Sequence, residues 1–346
     1  MSSPFEPVPL GAGKEAQAGS ARLRVVTYNI LLGGERRQDL IVDLLKRLDA
    51  DVVALQEVTD PAFIPILAEK LEMNAVVGEA SDGSSLSLAV LSRWPIVSWR
   101  NRRHPQRMLR SHLECEIAVD GAQPTVRIHC LHLAARFGES ANGETRRMRE
   151  MSAVLGGIDE APPGPHLILG DFNALAPGDG VRATLFFRRM AKLRRAGLVV
   201  ALPDGTVGPR RRAEVEDRLD EAWLAAGIDP RLDVGVPDLP SSIGPLTGSL
   251  PVNVALDRLL GRIIDRRTVQ RLLDLGYVDC YRQVHPDQPG YTCATWVPAA
   301  RIDYVFASPD LARALERCEV VGSPGWPDAT AAVASDHFPL FADFSM

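Results

Sequence analysis

Apolar residues recur along this chain in two rhythms, and the switches between them mark its elements. Leu23–Asn29 (Leu-Arg-Val-Val-Thr-Tyr-Asn) is rich in β-branched residues and predicts a strand. Over Gln38–Leu48 the apolar positions are Leu40, Ile41, Leu44, Leu45 and Leu48, the spacing of one helix face. Asp51–Gln56 is a second short apolar run, and it ends on Glu57. Strand, helix, strand in that order is how an α/β domain begins. Pro61 opens another helix that runs to about Leu71. Strand-like runs then crowd together at Ala75–Val77, Leu86–Leu91, Ile96–Trp99, Leu113–Val119 and Val126–Leu133. So many short strands in succession predict antiparallel meanders within mixed sheets, not the steady alternation of a doubly wound parallel sheet.

Glu144–Leu155 has helical spacing and leads into an apolar run at Leu167–Leu169. From about 177 to 275 the rhythm changes. Helical pieces stand at Val181–Leu193 and Arg212–Ala225, a Pro- and Gly-rich linker runs from Asp229 to Pro251, and a further helix is expected over Val254–Leu275. Strand signals return at Ile302–Phe306, Cys318–Val321 and Leu340–Phe344. The pattern predicts one α/β domain over residues 22–346, carrying a largely helical insertion at about 177–275. That insertion is a lid rather than a second domain, and no internal repeat is present.

Composition narrows this picture. Hydrophobic residues make up 46% of the 346 and charged residues 24%, so a sizeable core is available and global disorder is excluded. A net charge of −5 argues against a protein that adheres nonspecifically to nucleic acid, although a local basic rim could still steer a polyanion. Residues 1–21 lack an apolar stretch behind a basic start and are expected to form a disordered tail, not a signal peptide. No run approaches the roughly 18 apolar residues of a membrane span, so a cytoplasmic location is expected. Cys115, Cys130, Cys280, Cys293 and Cys318 are scattered and form no CxxC, which predicts a reduced compartment and no zinc site.

The chemistry concentrates in a few short runs. His166-Leu167-Ile168-Leu169-Gly170-Asp171-Phe172-Asn173 is an apolar strand that delivers a carboxylate and an amide two residues apart. Ala334-Ser335-Asp336-His337-Phe338-Pro339-Leu340 sets a carboxylate beside an imidazole. Asn29, Glu57 and His132 also fall at or just after strand ends. Asp303 lies within the apolar run Arg301-Ile302-Asp303-Tyr304-Val305 and needs a partner if buried, with His337 the attractive candidate and Arg301 the alternative. Taken singly, Glu57 is a loop acid, Asn29, Asp171 and Asn173 are turn or cap residues, and His132 is a strand histidine. Together they are the groups that metal-assisted phosphate hydrolysis needs. The arginine pairs, Arg36-Arg37 among them, read as solvated faces, with Arg102-Arg103 and Arg136 the candidates for a cleft rim.

In their order, Tyr-Asn, Leu-Gln-Glu-Val, His-Leu, Gly-Asp-Phe-Asn, Arg-Ile-Asp-Tyr and Ser-Asp-His resemble the endonuclease/exonuclease/phosphatase superfamily. The match covers Leu23–Asn173 and about Gly276–Phe344. The resemblance implies a two-sheet α/β sandwich of the deoxyribonuclease I type, with its active site along one edge of the paired sheets. It implies a magnesium-dependent phosphodiesterase, with Mn2+ able to substitute, acting on a phosphate-ester substrate. Glu57 would be the principal metal ligand, with Asn29 and Asp336 close to the ion. Asp171 would position and deprotonate the attacking water. Asn173 and His132 would hold phosphate oxygens, and His337, oriented by Asp303, would stabilise charge or carry a proton. Nuclease, phospholipid and inositol-phosphate substrates remain alternatives, and a catalytically silent binding module is the less favoured one because every motif position is intact. Leu31 stands where exonuclease III-type enzymes carry an acid, His132 stands where they carry a tyrosine, and the Trp-Cys-Asp-Arg motif of inositol 5-phosphatases is replaced by Arg301-Ile302-Asp303-Tyr304.

Overall fold

The computed structural model describes residues 22–119, 125–135, 143–195, 200–201, 207–208, 229, 232 and 251–346. The expected tail over residues 1–21, the helix over Arg212–Ala225, most of the Asp229–Pro251 linker and the rim candidate Arg136 lie outside the described residues.

The first half of the chain runs β1 (Arg22–Asn29), a 3-10 turn at Leu32–Gly34, α1 (Gln38–Leu48), β2 (Val52–Val58), α2 (Phe63–Leu71), β3 (Asn74–Gly78), β4 (Ser87–Ser92), β5 (Ile96–Arg102), β6 (His112–Ile117), β7 (Val126–His132), α3 (Gly143–Asp159) and β8 (His166–Asp171). The chain continues with α4 (Ala183–Arg195), a small strand pair β9 (Val200–Ala201) and β10 (Val207–Gly208), α5 (Val254–Arg262) and α6 (Arg267–Asp274). The chain closes with β11 (Val278–Asp279), α7 (Cys280–Val284), β12 (Asp303–Ala307), α8 (Pro309–Ala312), β13 (Leu315–Val320), α9 (Ala331–Ala334) and β14 (Leu340–Ser345).

Two six-stranded sheets form the body, ordered β13-β14-β1-β2-β4-β3 and β11-β12-β8-β7-β6-β5. Each has one parallel pair at its centre, β1 with β2 and β7 with β8, flanked on both sides by antiparallel neighbours. Parallel neighbours need a crossover, and α1 and α3 supply it. The two sheets thus repeat one plan, although the sequence carries no repeat. The mixed pairing expected from the run of short strands is what the chain adopts, as an α/β sandwich.

Alternation along each strand sorts side chains into two cores. Ile128, Cys130, Leu167, Leu169 and Val305 turn inward toward Val25 and Ala54 of the other sheet, in a cluster that continues through Val53, Leu55 and Leu91 to the apolar faces of α1 and α2. Leu131, Ile168, Tyr304 and Phe306 turn outward and meet Met151, Val154, Val269 and Leu272 from α3 and α6. Gly170 is required where β8 lies against β7. Its φ is +143°, and a Cβ there would lie 1.9 Å from the carbonyl oxygen of Leu131. Close contact of β8 with β7 therefore depends on glycine one residue before Asp171.

The helix expected over Val254–Leu275 is two helices, broken around Ile263–Arg266. Asp265 Oδ1 accepts the Arg267 N–H at 3.1 Å and starts the second helix. The Arg266 guanidinium turns back to the carbonyls of Ala176, Asp179 (2.8 Å) and Gly261 (2.9 Å). Helix α6 is anchored on α3, where Glu144 Oε1 accepts from Thr268 N at 2.7 Å and Thr268 Oγ1 at 2.8 Å.

A buried ion network ties the loop after β8 to β11 and to the residues ahead of β12. Arg301, fully buried, donates to both oxygens of Asp179 (2.9 and 3.2 Å) and of Asp279 (2.9 and 2.7 Å). Arg282 adds a bond to Asp179 Oδ1 at 2.7 Å. No helix of the described residues is long and apolar enough to cross a membrane.

Candidate active site

The parallel strands at the centre of both sheets end on one edge, and that edge collects the chemistry. Asn29 closes β1, Glu57 lies near the end of β2, His132 closes β7 and Asp171 closes β8. Register sets the neighbours. Asp171 stands between His132 on β7 and Asp303 on β12, paired with each. The Asp336-His337 run arrives from the loop ahead of β14.

Backbone strain aims the groups. The β2–β4 register shifts between Leu55 and Val58, a bulge that turns Glu57 out at φ +61°. Leu31, Leu32 and Asn173 also take positive φ (50°, 49° and 48°). Left-handed backbone is costly for residues with a Cβ, and here it gathers around one site. Asp49 and Glu72, which share it, merely end helices α1 and α2.

Asn29 is the clamp between the sheets. Its Nδ2 donates to Glu57 Oε1 and to Asp171 Oδ2, both at 3.0 Å, while its Oδ1 accepts the Leu31 N–H at 3.0 Å. Two carboxylates can be satisfied only by the N–H face of the amide, so the network fixes its orientation. Glu57 Oε2 accepts the Leu32 N–H at 3.0 Å. Asp171 Oδ1 accepts the Asn173 N–H at 2.8 Å. On its other oxygen two imidazoles converge, His132 Nε2 at 3.4 Å and His337 Nε2 at 3.8 Å. Asn173 donates one amide hydrogen to the Leu133 carbonyl at 3.0 Å.

His337 Nδ1 meets Asp303 Oδ2 at 2.9 Å and Oδ1 at 3.1 Å, so His337 is the partner of Asp303, and Arg301 belongs to the Asp179–Asp279 network instead. Ser335 ties this loop to the first sheet, with its Oγ donating to the Asn29 carbonyl at 2.7 Å. All eight expected residues lie in or beside this one constellation.

Burial and charge set the protonation states. Burial, and then the Asp303 carboxylate, push Asp171 up to about 7, against the opposing pull of His337, the Asn173 N–H and the Asn29 amide. Burial alone would strip His337 of its proton, but Asp303, Cys293, Asp171 and Asp336 outweigh it and hold the ring charged. His132 goes the other way, since burial, Arg110 and His337 push it well below the usual histidine range. Asp336 is raised by burial and by Glu57, with His337 opposing. The site therefore pairs one cationic and one neutral imidazole about a carboxylate that titrates near neutrality.

Three contributors were invisible as sequence. Arg37, expected on a solvated face, is buried. It donates to the Ile30 carbonyl (3.3 Å), the Leu31 carbonyl (2.7 Å) and the Ala334 carbonyl, stitching the turn after β1 to the Asp336 loop. Leu32 holds Glu57 through its backbone, which no side-chain pattern announces. Cys293 lies opposite His337 in an antiparallel bridge. Of the rim candidates, Arg102 binds Glu114 (2.7 Å) and Glu160 (2.5 Å).

Among the described residues, two trios bring metal-capable atoms within 4.8 Å of one another: Asp171, Asp303 and His337, and Cys293, Asp336 and His337. Glu57 and Asp336 offer carboxylate oxygens on the same edge, and the charge of Glu57 helps to raise Asp336. Carboxylate oxygens gathered on one edge suit a hard divalent cation.

The architecture has many counterparts. An AP endonuclease from Archaeoglobus fulgidus superposes with a TM-score of 0.58 at 14% identity, over 94% of this chain and 100% of that one. The 3′ phosphatase NExo from Neisseria, bound to a product DNA hairpin, superposes with a TM-score of 0.56 at 19% identity, again over 94% and 100%. At such identities the likeness is one of fold. No curated protein matches the chain. The sequence pattern of the Endonuclease/Exonuclease/phosphatase family matches residues 26–337, from within β1 to His337 itself. With that match spanning both sheets and every motif of the site, the chain belongs to the endonuclease/exonuclease/phosphatase family of hydrolases acting on phosphate esters.

Proposed function

We propose that this protein hydrolyses phosphodiesters by in-line attack of a water held at Asp171, with Mg2+ as its cation and Mn2+ able to replace it. One observation carries the reading. The Asp171 carboxylate is buried, bonded by an amide at each oxygen, and approached at Oδ2 by two imidazoles, one held charged and one held neutral. A carboxylate lifted to about 7 is matched to taking a proton from water near neutral pH. The charged His337, held by Asp303, is placed to stabilise negative charge developing on phosphorus-bound oxygen. Neutral His132 and the second amide hydrogen of Asn173 would hold the non-bridging oxygens. Glu57 and Asp336 would hold the cation, with Asn29 beside it. In this network Asn29 acts through its N–H groups, orienting Glu57 and Asp171 rather than offering its oxygen. When bound, such an ion neutralises charge on the phosphate and its leaving group.

Helix α4 borders the same edge. The Arg182 N–H donates to the Ala299 carbonyl at 2.9 Å, and Phe186 packs on Trp296, 6.1 Å between ring centroids. Thr295, the preceding residue, donates through its N–H to the Asp336 carbonyl at 2.8 Å. These contacts support the insertion as a cap on one side of the cleft, restricting substrate bulk.

Hydrolysis of bis-p-nitrophenyl phosphate, p-nitrophenyl phosphate and a labelled DNA duplex, each with EDTA and with Mg2+ restored, tests the reading. The diester should be cleaved faster than the monoester, and EDTA should abolish turnover. The Neisseria neighbour is a 3′ phosphatase bound to a product DNA hairpin, so the duplex is included, but the net charge of −5 favours a smaller diester. Failure to cleave any of the three with any divalent ion would refute it.

A further inference from the structure

We propose that Cys293, Asp336 and His337 form a binding site for zinc or a similar thiophilic divalent cation, and that its occupation withdraws His337 from phosphate chemistry. A thiol sulfur, a carboxylate oxygen and a ring nitrogen lie here within 4.8 Å of one another. The backbone holds them there. Cys293 and His337 face each other in an antiparallel bridge, the Phe338 N–H donates to the Thr292 carbonyl at 2.7 Å, and Thr295 Oγ1 donates to the Ser335 carbonyl at 2.8 Å. Two short segments run side by side, so the trio is built into the fold.

The chemistry of the set points to zinc. Sulfur, nitrogen and oxygen ligands in a trio, with a fourth position left over, suit a tetrahedral zinc centre, whereas magnesium keeps to oxygen. His337 carries the second feature of a metal-binding histidine. Its Nδ1 is held by the Asp303 carboxylate at 2.9 Å, which fixes the ring and leaves Nε2, 3.8 Å from Asp171 Oδ2 and beyond hydrogen-bond distance, as the nitrogen without a hydrogen bond. Cys293 is also the cysteine an ion can reach, since Cys115, Cys130, Cys280 and Cys318 are buried and Cys293 is partly exposed. Coordination forms the S–metal and N–metal bonds as the thiol and imidazolium protons leave to solvent. Spacing along the chain hides the trio, because Cys293 and Asp336 are 43 positions apart. Asp336 would serve both ions, so the two compete. The inhibitory consequence rests on the phosphoesterase reading, while the binding itself does not.

Cobalt is the probe. Co2+ added to the metal-free full chain should give a thiolate-to-cobalt charge-transfer band in the near ultraviolet, lost in Cys293→Ala and weakened in the isosteric Cys293→Ser. Zinc affinity by equilibrium dialysis should fall at least about tenfold in Cys293→Ala, since even the outer partners of metal ligands are worth that much. In Mg2+-supported diester hydrolysis, zinc should inhibit the parent protein at concentrations at least about tenfold below those needed for Cys293→Ala. A thiolate band in a protein that cleaves no phosphate ester upholds the site and removes the phosphoesterase reading. A folded parent protein that binds cobalt without a thiolate band overturns the proposal, as does equal zinc affinity in parent and variant.

Discussion

Glu150 on α3 makes a sharp test of how burial and charge are balanced beside the site. Its carboxylate is fully buried and accepts the Ala134 N–H at 2.7 Å and the Leu109 N–H at 3.4 Å, so it supports the loop that presents His132. Burial lifts its pKa from 4.5 to about 7, against those two N–H groups and the charges of Arg110 and Arg146. Because the folded state holds the proton more tightly than the unfolded chain, Glu150 contributes fully below about pH 4.5. That contribution is lost as pH rises through about 7. At about 1.4 kcal/mol per pKa unit, the loss between pH 5 and pH 8 comes to roughly 2–3 kcal/mol. Glu150→Gln keeps an acceptor for Ala134 but cannot titrate. Urea unfolding of both proteins, followed by tryptophan fluorescence at pH 5, 6, 7 and 8, measures the difference. The parent's stability relative to the variant should fall by roughly 2–3 kcal/mol across that range. Two profiles that stay parallel within about 0.5 kcal/mol would refute the assignment of a raised carboxyl at Glu150.

The site and its supports make three further expectations. Glu57→Gln should raise the Mg2+ concentration for half-maximal activity at least about tenfold without lowering the melting temperature, and unchanged metal dependence would remove Glu57 from the cation site. Asp171→Asn and His337→Ala should each lower kcat at least about a hundredfold, and a loss under about threefold in either would show the proton and charge roles to be misassigned. Asp179→Ala strips a carboxylate from buried Arg301 and should cost about 3–5 kcal/mol in denaturant unfolding. The exposed Arg103–Glu79 pair, 3.3 Å apart, is its control, and Glu79→Ala should cost no more than about 1 kcal/mol.

Much of this was legible in the chain. The β-branched runs announced the strands, and the motif residues sat at their ends because a strand end is where a side chain can leave the core and still be held. The missing parts share a cause. Arg37 and Arg301 look like surface charges until carbonyls and carboxylates far away in sequence close over them, the Asp179 partner of Arg301 being 122 residues distant. The left-handed backbone at Glu57 follows from a bulge that only the β4 register reveals. Asn29 carried no sign of which end of its amide would meet the acids, because Glu57 and Asp171 together decide it. The break between α5 and α6 was obscured by apolar spacing that continued across it, while Arg266 found carbonyls in the preceding segment.

The bond from Asn29 to Asp171 joins one sheet to the other across 142 residues of sequence. Neither layer holds a working half of the site. A shift of one layer over the other would part Asp171 from the Asn29 amide that holds it beside Glu57. Turnover is therefore a readout of interlayer registry. An expanded acid state that kept both sheets and lost their side-chain packing would retain its far-ultraviolet spectrum and hydrolyse nothing. In refolding, activity should return with the last tertiary signal and not with the first secondary one.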